Sequence, residues 1–227
     1  LVHAGNYNYT GEADLPKTIP VFPLSGALLL PGGQMPLNIF EPRYLAMIDE
    51  AIRGDRLIGM IQPRLDGALR PDGEPELCAV GCVGRITSFA ESGDGRYVVN
   101  LTGVVRFRVL EELESREPFR VCRIASFVAD LDLGLGAGEV DRDSLLTAFR
   151  DYLEANQLEA DWESVSRSST ETLVNVLCMM IAPNGPAEKQ ALLEAPDLRT
   201  RAETLVAITE ISLAREAGED GPTRTLQ

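Results

Sequence analysis

Lysine and histidine are almost missing from this chain of 227 residues: Lys17 and Lys189 are its only lysines and His3 its only histidine. These absences remove several kinds of chemistry. A phosphate-binding P-loop needs a lysine directly after a glycine-rich turn, yet Lys17 follows Leu15-Pro16 and Lys189 follows Ala187-Glu188. A Ser-Lys dyad needs a lysine whose pKa is lowered beside a serine, and neither lysine has that setting. Histidine acid-base catalysis would rest on His3 alone, in a stretch without periodicity. Adjacent acids such as Glu111-Glu112 are read as solvated surface in so acidic a chain. The expectation is a protein that is not an enzyme, with no catalytic residues and no cofactor.

No apolar run reaches about 18 residues, the length a membrane-spanning helix needs. The first residues lack the basic end and apolar stretch of a secretory signal. With 35 acidic against 21 basic residues the net charge is −14. Such a surface repels nucleic-acid backbones and anionic lipids, whose binding depends on clustered cations. A cytoplasmic protein without nucleic-acid or membrane partners is expected. The four cysteines offer one close pair, Cys78 and Cys82. On a strand those side chains project from one face about 13 Å apart, too far to share a zinc ion. Buried reduced thiols are the simpler expectation, and no metal site is proposed.

What remains is patterned as two halves, an α+β arrangement. Residues 1–14 carry no periodicity and suggest a flexible arm that can dock on the body. Residues 15–130 show short Val-, Ile- and Phe-rich runs punctuated by Pro and Gly, which predict strands at 19–23, 27–30, 35–39, 57–62, 78–89, 97–107 and 119–129. Gly93-Asp94-Gly95 marks a hairpin turn. One helix interrupts the strands: Pro42 suits its first position, Tyr44, Leu45, Ile48 and Ile52 form its apolar stripe, and Gly54 suits a left-handed cap. The Gly-rich stretch 131–140 lacks the spacing of a phosphate loop and reads as a linker.

Helical periodicity takes over at 141–217. Leu145, Leu146, Phe149, Tyr152 and Leu153 form one stripe, capped by Asp141 or Asp143. Ser168 and Glu171 fit a capping box before a face of Leu173, Val176, Leu177 and Met180, with Pro183 just past the end. Pro186 starts a short helix, and Asp197 precedes another with Leu198, Ala202, Leu205 and Ile208 in register. Residues 218–227 read as a frayed tail.

A family resemblance rests on several segments in order. Ile19-Pro20-Val21-Phe22-Pro23-Leu24 with Leu28-Leu29-Leu30-Pro31-Gly32, and then Pro36 to Tyr44, resemble the opening of the Lon protease amino-terminal, substrate-binding domain. Gly81 to Ile86, Leu101 to Val109 with its G-x-x-R-F pattern, and Glu188-Lys189-Gln190-Ala191-Leu192-Leu193-Glu194 with Arg201-Ala202 are similar to later segments of that domain. The resemblance runs from about Leu15 to Ala214. It implies a PUA-like β pseudobarrel with one inserted helix, followed by a carboxyl-terminal helical bundle. It also implies a freestanding member without ATPase or peptidase, acting as a substrate-recognition or adaptor module for unfolded or tagged polypeptide or another protein. The rival is a small-molecule or RNA-binding PUA-like domain, and the net charge counts against RNA.

Six residues are candidates for binding: Leu29, Leu30, Glu41, Arg43, Tyr44 and Arg106. Arg43 could hold a peptide carboxylate beside the Tyr44 ring. Equally, Glu41 could support the helix start while Tyr44 packs in the core and Arg43 pairs with an acid, which accounts for every residue type present. Alternation places Arg106 and Arg108 on one sheet face, simplest as an outer face, with a ligand contact from Arg106 as the second reading. Leu28-Leu29-Leu30 is continuous, which implies burial on both sides or an exposed apolar patch.

Overall fold

The computed structural model describes residues 1–181 and 185–219. The strands are β1 (Val2–Ala4), β2 (Tyr7–Tyr9), β3 (Thr18–Pro23) and β4 (Gln34–Ile39), then, after helix α1 (Pro42–Arg53), β5 (Leu57–Ile61), β6 (Val80–Glu91), β7 (Tyr97–Leu113) and β8 (Arg120–Ser126). Five helices follow: α2 (Arg142–Ala155), α3 (Trp162–Arg167), α4 (Thr170–Ile181), α5 (Pro186–Glu194) and α6 (Leu198–Glu219).

Strand β7 is long enough to change partners along one edge. Its first part pairs with β4, as in Leu101 with Met35, and its later part with β8, as in Phe107 with Ser126. On its other edge it pairs with β6 from Tyr97 to Arg108. Because β6 pairs with β5, β5 runs parallel to β3, and β3 pairs with β8, the chain of pairings returns to β7 and closes a ring. Irregularities at Val83/Gly84 and Val109/Glu111 supply the added twist that closure needs. The parallel pair β3 and β5 requires a crossover, and β4 with α1 provides it.

All five residues of β5 are buried, as expected of a strand covered on both faces. Leu57 and Ile61 join a cluster with Val21, Val83, Val105 and Phe107. Ile58 and Met60 join a second cluster with Phe22, Tyr44, Leu101, Leu177, Leu192 and Leu205, which binds the sheet to α1 and the carboxyl-terminal helices. The sequence therefore specifies two cores that share strands, and the helical half cannot part from the barrel without exposing the second.

Several expectations are corrected. The amino-terminal arm is a β1–β2 hairpin with Val2, Ala4 and Tyr9 buried in the barrel-side cluster. Strands of three residues each, with two buried side chains in one and one in the other, are too short a pattern to read as strands. Residues 27–30 are not a strand, although Leu28, Leu29 and Leu30 are buried. That segment lies between Gly26 and Gly32, both at positive φ, and crosses β7 where Gly103 has no room for a side chain against the Leu30 carbonyl. The left-handed residue after α1 is Arg56, at φ 61°, because Gly54 stays at −101°.

The stretch 131–140 is not a featureless linker: Leu131 is buried at the end of a 3₁₀ turn, and Ala137–Glu139 forms another. Ser169, not Ser168, caps α4 by accepting the Thr172 N–H at 3.2 Å. The seam of α4 is rotated accordingly, to Leu173, Val174, Leu177, Cys178 and Ile181, which leaves Met180 62% exposed. The short helix α3 carries no pattern that marks it in the sequence; its Trp162 packs against Phe149 of α2, ring centres 5.7 Å apart and planes tilted by 54°. Pro183 and the tail beyond Glu219 lie outside the described residues.

Candidate functional site

A groove of about 440 Å³ opens where the barrel meets the helices. Its apolar lining comes from Leu24, Leu28, Met35, Leu37, Met179 and Met180, drawn from the turn after β3, from β4 and from the end of α4. Each wall has a local cause. β4 stands at the sheet edge beside β7 and has no second strand partner among the described residues. Met179 lies over Gly33, where any Cβ would collide with its sulfur. Met180 points outward because the α4 seam turns its neighbours Met179 and Ile181 toward the core.

Polar side chains hold the rim. Gln62 accepts the Gly26 N–H at 2.8 Å and donates to the Pro186 carbonyl at 3.0 Å and to Gln190 at 3.1 Å. Gln190 in turn donates to the Val80 carbonyl, and Lys189 Nζ donates to the Gly26 carbonyl at 2.9 Å. Thus the Lys189-Gln190 pair fastens α5 to both the turn and the barrel. Beneath, Asn175 donates to the Pro31 carbonyl at 3.1 Å and accepts from Arg201 at 2.9 Å. Satisfying both ends of these buried amides fixes the angle between sheet and helices.

The six residues expected from sequence are not gathered into one place. Leu29 and Leu30 are 1% and 0% exposed, so they form the groove's foundation and cannot touch a partner in the folded state. Tyr44 is buried, with its ring 4.2 Å from that of Phe22. Arg43 is half-exposed, bonded to Glu41 at 3.0 Å and Glu74 at 3.3 Å, and its guanidinium lies 4.7 Å from the Tyr44 ring centre. Burial raises the Tyr44 phenol above its ordinary pKa.

Arg106 is not on an outer face. It is buried between β7 and the helices, bound to Asp130 and to the carbonyls of Leu193 and Ala195. Arg108 alone faces outward, over Phe127. The continuous burial of Leu101 to Arg106 shows why alternation misled: β7 is covered on both sides there.

Cys78, Cys82, Cys122 and Cys178 are all free and buried. Burial raises every one of these thiols, Cys122 to about 11 and Cys178 to about 12, so they are protonated at neutral pH.

The residues that line and hold the groove, Met35, Met179, Met180, Gln62, Asn175 and Arg201, were not foreseen as site residues. Lys189-Gln190 and Arg201, like the lining residues Leu24, Leu28 and Leu37, belong to the segments that resemble the family, but nothing in the sequence marks them as a groove.

Residues 18–210 match the family described as the ATP-dependent protease La (LON) substrate-binding domain. The chain belongs to that family. It is 28% identical over 196 residues to Lon protease 2 of Myxococcus xanthus, covering 84% of this chain and 23% of that protein. It is 31% identical over 208 residues to Lon protease 2 of Sorangium cellulosum, again covering 84% of this chain and 24% of the relative. The chain therefore spans about a quarter of the length of these curated relatives. Among solved structures it resembles a Lon N-terminal domain protein from Xanthomonas campestris, with a TM-score of 0.58 and 26% identity over 84% of this chain and 97% of the other. The N-terminal domain of a Mycobacterium avium complex Lon protease shares the fold, with a TM-score of 0.62 at 18% identity over 86% of this chain and 98% of the other. The match lies within the substrate-binding domain, and no helix among the described residues is long and apolar enough to cross a membrane.

Proposed function

We propose that this Lon-family domain is a non-catalytic recognition module whose methionine-lined groove holds extended, apolar segments of unfolded polypeptide. The exposure of Met180 at the mouth of that groove, beside Leu24 and Met35, carries the proposal. Unbranched thioether side chains reshape at little energetic penalty and contact many apolar surfaces, which suits a site that must accept varied sequences. The unpaired edge of β4 adds backbone donors and acceptors for an extended chain. The family's description as the substrate-binding domain of a protease supports protein as the class of ligand.

Fluorescence anisotropy of a labelled unfolded polypeptide against the purified chain, with the native form of the same polypeptide as control, tests the reading. Selective binding of the unfolded form is expected, and Met180→Glu should weaken it by about tenfold or more by placing a charge at the apolar mouth. Met180 is exposed, so the variant keeps its fold. Equal affinity for both variants, or for both forms of the polypeptide, sinks the groove as the recognition site.

A further inference from the structure

We propose that a second cleft, between the β1–β2 hairpin and the strands β5 and β6, is an oxyanion site in which Arg56 and Arg85 receive a carboxylate or phosphate. This cleft encloses about 320 Å³ and is lined by Tyr7, Tyr9, Asp14, Asp55, Arg56 and Arg85 among others. The same two arginines also line an adjoining hollow of about 350 Å³ beside Gly5 and Asn6. Both therefore stand between two open spaces.

Arg85 is built into position. Its Nη1 donates to the Asp55 carbonyl at 2.7 Å and to the Tyr9 hydroxyl at 3.3 Å, and its guanidinium lies 5.2 Å from the Tyr7 ring centre. Nε and Nη2 have no acceptor among the described residues and remain available as a fork. A fork of this kind matches the two oxygens of a carboxylate or phosphate.

Arg56 has no ion pair or side-chain hydrogen bond among the described residues. Its backbone is held at φ 61°, because its N–H donates to the Ala51 carbonyl at 2.8 Å and its carbonyl accepts from Ile86 at 2.8 Å. Glycine would sit there without strain, yet the position carries a long cation that reaches the clefts.

Two acids share the lining. The Asp14 carboxylate is occupied within its own turn by Thr10, Gly11 and Tyr7. The Asp55 carboxylate lines the cleft without a salt bridge to either guanidinium among the described residues, and its negative charge opposes an incoming anion. Arg56 and Arg85 thus bring uncommitted donors together in one cleft of a chain whose net charge is −14. The same net charge disfavours a polyanion such as nucleic acid and favours a small anion or a peptide carboxylate. The hairpin that forms one wall, residues Val2–Tyr9, precedes the region matched to the family.

Isothermal titration of the intact chain at low ionic strength tests the site, with inorganic phosphate as one probe and a short acetylated peptide, as free acid and as carboxyl-terminal amide, as the other. Binding should fall about tenfold or more in Arg56→Gly and rise in Asp55→Asn. A purely structural role for Arg56 would leave both affinities unchanged. Arg56→Gly retains the fold because glycine adopts this φ freely, and a thermal melt verifies that. Preference for the free acid over the amide identifies a carboxylate as the natural ligand group, and binding of phosphate alone identifies phosphate. No binding of either probe at about 10 mM, or undiminished binding in Arg56→Gly, overturns the proposal. The proposal stands apart from the methionine groove, and Met180→Glu should leave anion binding unchanged.

Discussion

The guanidinium of Arg106 closes on the carboxylate of Asp130 with two parallel hydrogen bonds, 2.8 Å from Nε and 2.9 Å from Nη2, while its Nη1 donates to the carbonyls of Leu193 at 2.9 Å and Ala195 at 2.6 Å. One side chain from the middle of β7 thereby joins the 3₁₀ turn after β8 to the end of α5. The carbonyls it serves are the ones that α5 leaves without intrahelical partners. Cap and ion pair are the same residue, so barrel and helices are fastened at a point where neither could satisfy its own polar groups.

Replacing Arg106 with Ala leaves the Asp130 carboxylate and both carbonyls in a site from which water is largely excluded. Breaking a buried pair in this way typically destabilises a protein by about 3–5 kcal/mol. Urea denaturation of the two proteins should show a loss of that order. Because the second core spans both halves, the wild-type transition should also be single by circular dichroism and by Trp162 fluorescence. A loss below about 1 kcal/mol would mean that the pair is solvated and not a clasp.

Glu171 sets a pH dependence of the opposite sense to most carboxylates. It is 7% exposed, and its Oε2 has no hydrogen-bond partner among the described residues. Burial raises its pKa from 4.5 to about 7, with Arg201 opposing and Asp130 and Asp132 adding to the rise. Between those two values the folded state keeps the proton that the unfolded state releases, so this group's contribution is full below about pH 4.5 and falls as pH rises toward 7. The loss amounts to at most about 3 kcal/mol. Glu171→Gln should be more stable than wild type at pH 8 and similar at pH 4. Denaturation curves at both pH values that shift in parallel for the two proteins would contradict this.

The strands, the inserted helix and the helical half were legible because their signals are local: alternation, Pro42 at a helix start, and the 3.6-residue stripe in α2. The barrel came from the family resemblance and not from local pattern, since the exchange of β4 for β8 along β7 depends on three-dimensional neighbours. Arg106 shows the same limit. Its alternation with Phe107 signalled one outward face, but helices covering β7 from the other side reversed the meaning of that face. The groove escaped notice because Met180 occupies a helical position that periodicity assigned to the core. The seam of α4 is broader, and Asn175 and Glu171 lie within it. Leu29 and Leu30 were legible as apolar and misassigned as contacts, because a continuous apolar run does not say which of its members reaches the surface.

Gly103 marks the point where the Leu28–Pro31 segment crosses β7. A Cβ there would strike the Leu30 carbonyl, and the surrounding backbone is tied by hydrogen bonds from Gly32 N to Gly103 O at 2.9 Å and from Gly103 N to Gly33 O at 2.8 Å. Backbone on both sides leaves no flexible side chain to move aside. Gly103→Ala should lower stability by about 3 kcal/mol, the upper end of overpacking effects. A midpoint of urea denaturation indistinguishable from wild type would show that the crossing can loosen freely.

Gln62 offers a way to separate the groove's shape from its chemistry. It is 1% exposed and touches no part of the apolar lining's outer surface, yet it holds Gly26, Pro186 and Gln190 together. Gln62→Ala frees the turn that carries Leu24 and leaves a buried N–H and two acceptors unpaired, which should lower stability by about 1–3 kcal/mol. The methionines of the groove, on β4 and α4, are not bonded to Gln62 and keep their places. If recognition depends on the preorganised rim, polypeptide affinity should fall in Gln62→Ala under conditions where the protein is still folded, with faster dissociation as the main cause. If affinity is unchanged while stability drops, the methionines alone determine binding, and the hydrogen-bonded rim serves only to dock the helices on the barrel.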